Sequence, residues 1–503
     1  PPPQPPSRGA ELPVQGVEFS GGSVFSEAQL QAVAAPFLGR SLDSGDIEEL
    51  RYRITRLYVD QGYINSGAVL EGYDAPTQQL RIRLKEGELG EVRVKALGGL
   101  RPDYVADRLR LAAKVPFHLP TLQERFLMLL DDPLIESLHG AISPSTVPGE
   151  AILETEATAS SPYAFSLTLD NHGPVSLGEM RALVSGTLRN LSGWGEALTF
   201  GFDGSEGNRR GRLDFGIPLN AYDTRFHAFF ERSNVVVVEE PVDLLDVKGD
   251  QVAYEIGLTH PLVHGLRRDL TLGLSLGRRS NKTRLLDIPF SFTPGSVEGR
   301  STIAPLRITQ EWSERGVDKV YSLRSVISLG LDALGATHIK QGATDTRFAT
   351  WLLQQRYAQQ WANRRVQLIG RLDAQFADSP LPVLEQVALG GADTVRGYRE
   401  NILIRDQVLL ASLELRYALL DSALESRYGR LEGAVFSDFA QGWNKGNNDQ
   451  AEGLYSVGLG LLWSWREQLQ AQLYWGHPLK DPPRHTSGTW QDEGIHFRLQ
   501  ATY

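Results

Sequence analysis

The sequence predicts two small α+β modules followed by an antiparallel transmembrane β-barrel of sixteen strands. Three observations carry this reading. A strand, helix, helix, strand, strand order is written twice before residue 160. From Tyr163 onward, segments of roughly ten residues alternate strictly between apolar and small or polar side chains. No apolar run approaches the roughly 18 residues that a membrane helix requires, so only strands are left to span a bilayer.

The chain opens on "PPPQPPSRGA", and residues 1–13 read as a Pro-rich linker, extended and solvated. A linker in this position implies a segment upstream of it. Residues 14–86 form the first module. "VQGVEFSGG" is a short strand, and Ser26 to Gln29 makes a capping box that opens a helix. A second helix follows over 46–61, where Ile47, Leu50, Ile54 and Leu57 share one face, and Gly62 caps its end. Strands follow at 64–71 and 79–85. Residues 87–160 repeat the order, with a strand in "GELGEVRVKALGG", helices over 102–112 and 120–131, and strands over 137–143 and 151–158. Each copy can bury one sheet face under two helices. Neither shows a pocket signature, so both read as binding modules.

Residues 161–503 form the barrel. In "DLTLGLSLGRR", Leu270, Leu272, Leu274 and Leu276 share one face, opposite Thr271, Gly273, Ser275 and Gly277. In "VLLASLELRY", Leu409, Ala411, Leu413, Leu415 and Tyr417 oppose Ser412, Glu414 and Arg416. A soluble sandwich would turn its apolar faces onto a shared core of bulky side chains. Here the apolar face suits lipid and the polar one a wet lumen. Connections after even-numbered strands are mostly tight, such as "LNAYD" and "WAN". Several after odd-numbered strands are long, including 234–250, 280–299, 377–405 and 476–492. With the modules in the periplasm, strand 1 runs outward and the long connections face the exterior.

Composition narrows the function. A formal charge of −10 and a pI near 5.6 leave no basic surface for nucleic acid. The chain has no Cys, so there is no disulfide and no thiolate metal site, and its 10 His lack ligand spacing. No cofactor or metal is expected. "GLSLG" at 273–277 matches the G-x-S-x-G elbow by letter, but that elbow needs a sharp strand-to-helix turn, and this segment lies inside an alternating strand. No enzyme is indicated.

"LGGADTVRGYREN", residues 389–401, resembles a phosphate loop without the Lys-Ser/Thr or the G-x-G-x-x-G spacing such loops use. It lies on the longest of the long connections, 377–405, between strands 11 and 12. In "AVFSDFAQGW", 434–443, parity turns Glu432, Ala434, Phe436 and Asp438 one way and Val435 and Ser437 the other. A lumenal carboxylate needs water or a cationic partner.

Two such modules, a sixteen-stranded barrel, "VRGY" on that loop and a following F-x-D strand resemble the two-partner secretion transporters, the TpsB family, relatives of BamA. The likeness spans Val14 to Tyr503. It implies that the modules are POTRA domains, that the loop folds back into the barrel, and that Arg396 pairs with Asp438. Val395, Gly397 and Tyr398 would complete the loop tip, with Phe436 beside the acid. The last motif position holds Ala440 where the family has glycine. In the family a plug helix precedes the Pro-rich linker.

The resemblance further implies an outer-membrane protein set in lipid that captures the N-terminal secretion domain of a large exoprotein and passes it through the lumen; a closed barrel needs no partner to bury its strand edges, so a monomeric barrel is expected. Two other readings of the barrel stand beside it: a factor that inserts other outer-membrane proteins, and a passive porin or receptor.

Overall fold

The computed structural model describes residues 11–293, 296–337, 346–446, 451–466, 468–481 and 488–503. The first ten residues of the expected linker lie outside the described residues. The chain divides into two compact units, one running to Ser161 with Ser192–Trp194, the other comprising 162–191 and 195–503.

In the first module, strand Gly16–Ser20 pairs in parallel with Gln79–Lys85, which pairs antiparallel with Gly67–Asp74. Helices α1 (Glu27–Ala34) and α2 (Ser44–Asp60) cover the sheet. Ser26 and Gln29 form the reciprocal capping box, and α2 has a second one between Asp43 and Asp46. The buried face of α2 carries Ile47, Leu50, Ile54 and Tyr58, so the last inward position is Tyr58, with Leu57 only half-buried. The Tyr58 ring packs edge-on between Phe25 and Tyr63, and its hydroxyl donates to Glu86 at 3.2 Å. A short strand, Leu12–Val14, pairs with Arg40–Leu42, so ordered structure begins inside the stretch read as linker.

The second module repeats the plan. Glu88–Leu97 runs parallel to Glu150–Ala159, whose other edge takes Ile135–Pro144 antiparallel, under α3 (Pro102–Arg110) and α4 (Leu119–Leu130). Its core gathers Val105, Leu109, Phe117, Leu122, Leu129 and Leu153.

The second unit is a closed antiparallel barrel. Its strands are β1 (Tyr163–Asp170), β2 (Arg181–Arg189), β3 (Ala197–Gly204), β4 (Asn208–Pro218), β5 (Arg225–Val236), β6 (Val247–His264), β7 (Arg268–Leu285) and β8 (Pro305–Arg315). The wall continues with β9 (Lys319–Gly330), β10 (Ala349–Trp361), β11 (Val366–Ala377), β12 (Gln407–Ala418), β13 (Arg430–Trp443), β14 (Glu452–Trp465), β15 (Leu469–Pro478) and β16 (Ile495–Thr502). Closure comes from β16 pairing with β1, Arg498 opposite Asp170 through Thr502 opposite Ser166, so no main spanning strand is left as an open edge.

Leu272, Leu274, Leu413, Leu415 and Tyr417 point outward and are exposed, the side that lipid covers. Glu414, on the opposite face of β12, is buried inside. Ser275 of the letter-match elbow sits mid-strand in β7. Connections after even-numbered strands are short, as at 219–224 and 362–365; 419–429 is longer and contains helix α5 (Ser422–Tyr428). Those after odd-numbered strands include 237–246, 286–304, 378–406 and 479–494.

Glu86 ties the first module together. It accepts from Ser23 N (2.7 Å), Ser23 Oγ (2.6 Å), Val24 N (3.0 Å) and the Tyr58 hydroxyl. Partial burial works against its charge, but the donors from Ser23, Val24 and Tyr58 outweigh that and hold the carboxyl below its ordinary value. A depressed carboxyl contributes stability above its unfolded value of about 4.3 and loses it as pH falls through the folded value. Glu86→Ala leaves the buried Tyr58 hydroxyl and two N–H groups to find water, at a cost of about 1–3 kcal/mol. Limited proteolysis of the full chain at neutral pH is expected to cut the variant's first module faster than the wild type's, and the gap is expected to narrow below about pH 4.

Candidate functional site

The 378–406 connection folds against the inner wall of the barrel. Its stem is a ribbon, Val387–Leu389 paired with Leu403–Arg405. Buried Asp406 fixes the base, accepting from Leu381 N (3.1 Å), Lys445 N (2.9 Å) and Gln386 Nε2 (2.8 Å).

The glycines of the opening turn have a local role. Gly390 and Gly391 take φ of +97° and +100°, a region that disfavours other residues. A side chain at 391 would collide with the Glu400 carboxylate, which accepts from Ala392 N at 2.7 Å. Burial, with Asp393 nearby, pushes that carboxyl up to about 8. The loop therefore cradles its own acid.

At the tip, Val395 and Tyr398 are buried in an apolar cluster with Leu389, Leu403, Val408, Leu410, Ala440 and Leu454. The Tyr398 hydroxyl lies 3.1 Å from the Tyr455 carbonyl and 2.9 Å from that of Lys480, so the ring is an anchor with its polar end satisfied.

Arg396 is 7% exposed. Its Nε donates to Asp438 Oδ2 and its Nη2 to Asp438 Oδ1, both at 2.8 Å, and its backbone N–H also reaches Oδ2 at 3.1 Å. The remaining nitrogen, Nη1, pairs with Glu414. The guanidinium carbon stands 3.6 Å from the centroid of the Phe436 ring and 4.8 Å from that of Tyr474, within cation–π range.

The structure brings together Arg396, Asp438 and Phe436, the residues that the resemblance pairs, but Asp438 is one of two acids. Glu414 also accepts from Arg416 Nε (2.5 Å) and from the Tyr474 hydroxyl (3.0 Å), while Ser412 Oγ donates to Asp438 at 2.6 Å. Two arginines thus face two carboxylates, and the buried charge balances.

Strand register builds this arrangement. Ser412 on β12 lies directly opposite Asp438 on β13, and Glu414 opposite Phe436. Gly458 and Gly460 on β14 leave room for the rings, since a Cβ at 460 would stand 3.2 Å from Ala434 and closer still to Tyr474, and one at 458 would meet Phe436. The residues missed from sequence, Ser412, Glu414 and Arg416, were all on the polar face of "VLLASLELRY". Parity identified their face but not their partner.

Arg399, one turn further on, is also buried. Its Nε and Nη2 grip Asp492 at 2.5 and 2.7 Å, and its Nη1 reaches Glu239 at 2.7 Å. Those acids sit on the connections after β15 and β5, so the same loop ties together two others on the outer side.

The family described as "Haemolysin secretion/activation protein ShlB/FhaC/HecB" matches residues 149–462, and the ShlB-type POTRA domain matches residues 12–87. The chain belongs to this family. Among relatives, the heme/hemopexin transporter protein HuxB of Haemophilus influenzae is 22% identical over 402 residues, 78% of this chain and 69% of that protein. The haemolysin transporter protein ShlB of Serratia marcescens is 23% identical over 418 residues, 78% and 69% of the two chains.

In structure, the chain is similar to CdiB from Escherichia coli, with a TM-score of 0.75 at 18% identity, covering 99% of this chain and 93% of that one. BamA from Haemophilus ducreyi lacking POTRA domains 1–3 shares the fold at a TM-score of 0.57 and 12% identity, covering 98% of this chain and 100% of that one. The protein is a two-partner secretion transporter of the outer membrane, with POTRA modules in the periplasm, and its named relatives are transporters.

A shared arginine predicts graded damage. Asp438→Ala or Glu414→Ala alone leaves Arg396 one acid, whereas removing both, or Arg396 itself, abolishes the pairing; loss of a buried partner costs on the order of 3–5 kcal/mol. Single-channel conductance in planar bilayers is expected to rise modestly for each acid variant and furthest, to a common level, for Arg396→Ala and the double acid variant. Equal conductance in all four would rule out a shared clasp.

Proposed function

We propose that this transporter exports one large partner exoprotein, with the 378–406 loop seated in the lumen as the latch that sets the transport-competent barrel. The observation that carries the reading is the bidentate pairing of loop residue Arg396 with Asp438 on β13, stacked on Phe436. Such a pair is charge-assisted and geometrically specific, which suits it to hold a long loop in one pose. Val395 and Tyr398 bury the tip, and Gly397 lets the backbone turn beside the arginine.

Residues 14–86 and 87–160 act as two POTRA modules that receive the secretion domain of the partner before it enters the barrel of residues 161–503. Each module presents open sheet edges, at Gly16–Ser20 and Gly67–Asp74 in the first and at Glu88–Leu97 and Ile135–Pro144 in the second, where an extended segment adds as a strand. Folding of the exoprotein outside supplies the drive. The protein works as a monomeric barrel in outer-membrane lipid and catalyses no reaction.

The test is co-expression with a candidate partner exoprotein that carries an N-terminal secretion domain. Arg396→Ala is expected to insert, remain heat-modifiable on gels, and lower the secreted partner by about tenfold or more, the equivalent of roughly 1.4 kcal/mol in the seated equilibrium. Wild-type secretion by that variant would overturn the latch. Secretion by neither protein would overturn the assignment of the partner.

A further inference from the structure

The loop tip has a second side. Arg396 faces β12 and β13, but the next residue, Gly397, faces β15 and β16. Its backbone N–H donates to Nε2 of His496 at 3.1 Å, and His496 is fully buried. A ring nitrogen that accepts carries no proton, so the hydrogen bond assigns His496 as the neutral tautomer protonated on Nδ1. That Nδ1 has no hydrogen-bond partner among the described residues. A buried donor left unpaired is costly, and an aliphatic side chain would fill the same volume without that cost. What the imidazole supplies in return is the acceptor for Gly397.

The backbone contact beside it is equally specific. Gly397 takes φ of +91°, and a Cβ there would stand 2.8 Å from the carbonyl carbon and oxygen of Gly476 on β15. A Cβ on Gly476 would stand 2.6 Å from Gly397 N and 2.7 Å from the Arg396 carbonyl carbon. Real side chains do not approach backbone so closely. Gly476 N in turn donates to the carbonyl of Gly494 at 2.8 Å, immediately before β16, and Gly494 takes φ of +72°.

We propose that Gly476 and His496 form a second, uncharged clasp that positions the loop tip, Gly476 by letting the 396–397 peptide lie against β15 and His496 by accepting its N–H. Arg396 holds the tip to β13 from one side, through its guanidinium and its own N–H. The clasp holds the 396–397 peptide from the other side, against β15 and β16, so that the tip bridges the wall from β12 to β16. This deepens the latch described above and rests on it.

The chain has no Cys, so Val395→Cys, at a position that is 0% exposed, gives one thiol that reports whether the tip is seated. The full-length protein in outer membranes is treated with a membrane-impermeant maleimide, and labelling is read only from the heat-modifiable, folded band. Relative to Val395→Cys alone, adding His496→Leu or Gly476→Ala is expected to raise the labelling rate about tenfold. His496→Gln, which offers an amide oxygen as acceptor, is expected to restore slow labelling. Gly201→Ala on β3, where a Cβ meets nothing within 4 Å, is expected to change nothing.

Slow labelling with His496→Leu would overturn the histidine's role, as would equally fast labelling with Leu and Gln, which would assign the effect to ring volume. Gly476→Ala behaving like Gly201→Ala would overturn the backbone contact, and this arm stands even where His496→Leu fails to fold. An Arg396→Ala arm separates the two ideas. Fast labelling there with slow labelling in the clasp variants removes the clasp alone. Slow labelling there as well removes the seated latch.

Discussion

A cation held inside a protein must be neutralised where it sits, and Arg396 imposes that demand on the whole inner wall of this barrel. Its guanidinium offers donors in a fixed plane, and the plane is filled: Asp438 takes one edge, Glu414 an end nitrogen, and Phe436 lies beneath. Everything adjacent follows from keeping those acids satisfied. Ser412 supplies a hydroxyl to Asp438, Arg416 and Tyr474 supply donors to Glu414, and Gly458 and Gly460 recede so that the aromatic rings fit. The barrel provides positions at a fixed spacing, and the loop arrives with the charge that uses them.

Closing a loop of this length costs entropy, although that cost grows only slowly with length. Several separate contacts share it. The stem is a ribbon with Asp406 at its foot, the opening turn wraps Glu400, the tip is buried through Val395 and Tyr398, and Arg399 reaches acids on two other connections. Asp492 answers Arg399 as a carboxylate held below its ordinary value: burial opposes its charge, but Arg399 and the Thr489 donors prevail. The lumenal contacts of Arg396 and the outer contacts of Arg399 are three residues apart on one chain.

How far this was legible in the sequence depends on which physical rule decides each residue. Period two fixes the face of every strand residue, so the inward direction of Asp438 and Phe436 and the outward direction of Leu413 and Leu415 could be read directly. The Arg396 and Asp438 partnership came from a resemblance, and the structure brings the two together. Glu414 was placed on the correct face but without a role, because parity does not say which inward group lies at the height a loop reaches. Arg399 and its partners were invisible for a stronger reason: Glu239 and Asp492 lie on separate connections, and no local pattern ties such residues together. In the first module, the choice of Tyr58 over Leu57 turned on a hydroxyl finding Glu86, a tertiary contact that helical spacing does not encode.

The glycines show the same division. Sequence alone offered a glycine-rich loop and the image of a phosphate cradle, because backbone freedom is what such loops advertise. In the structure each glycine answers a specific neighbour: Gly391 makes room for Glu400, and Gly397 lies on the backbone of Gly476. A loop whose glycines are spent on its own carboxylate and on the barrel wall is built to be seated, and its seat combines charged and backbone contacts with the apolar cluster around Val395 and Tyr398. All three kinds of contact converge on the consecutive tip residues Val395, Arg396, Gly397 and Tyr398, which is the specific seating that the proposed latch requires.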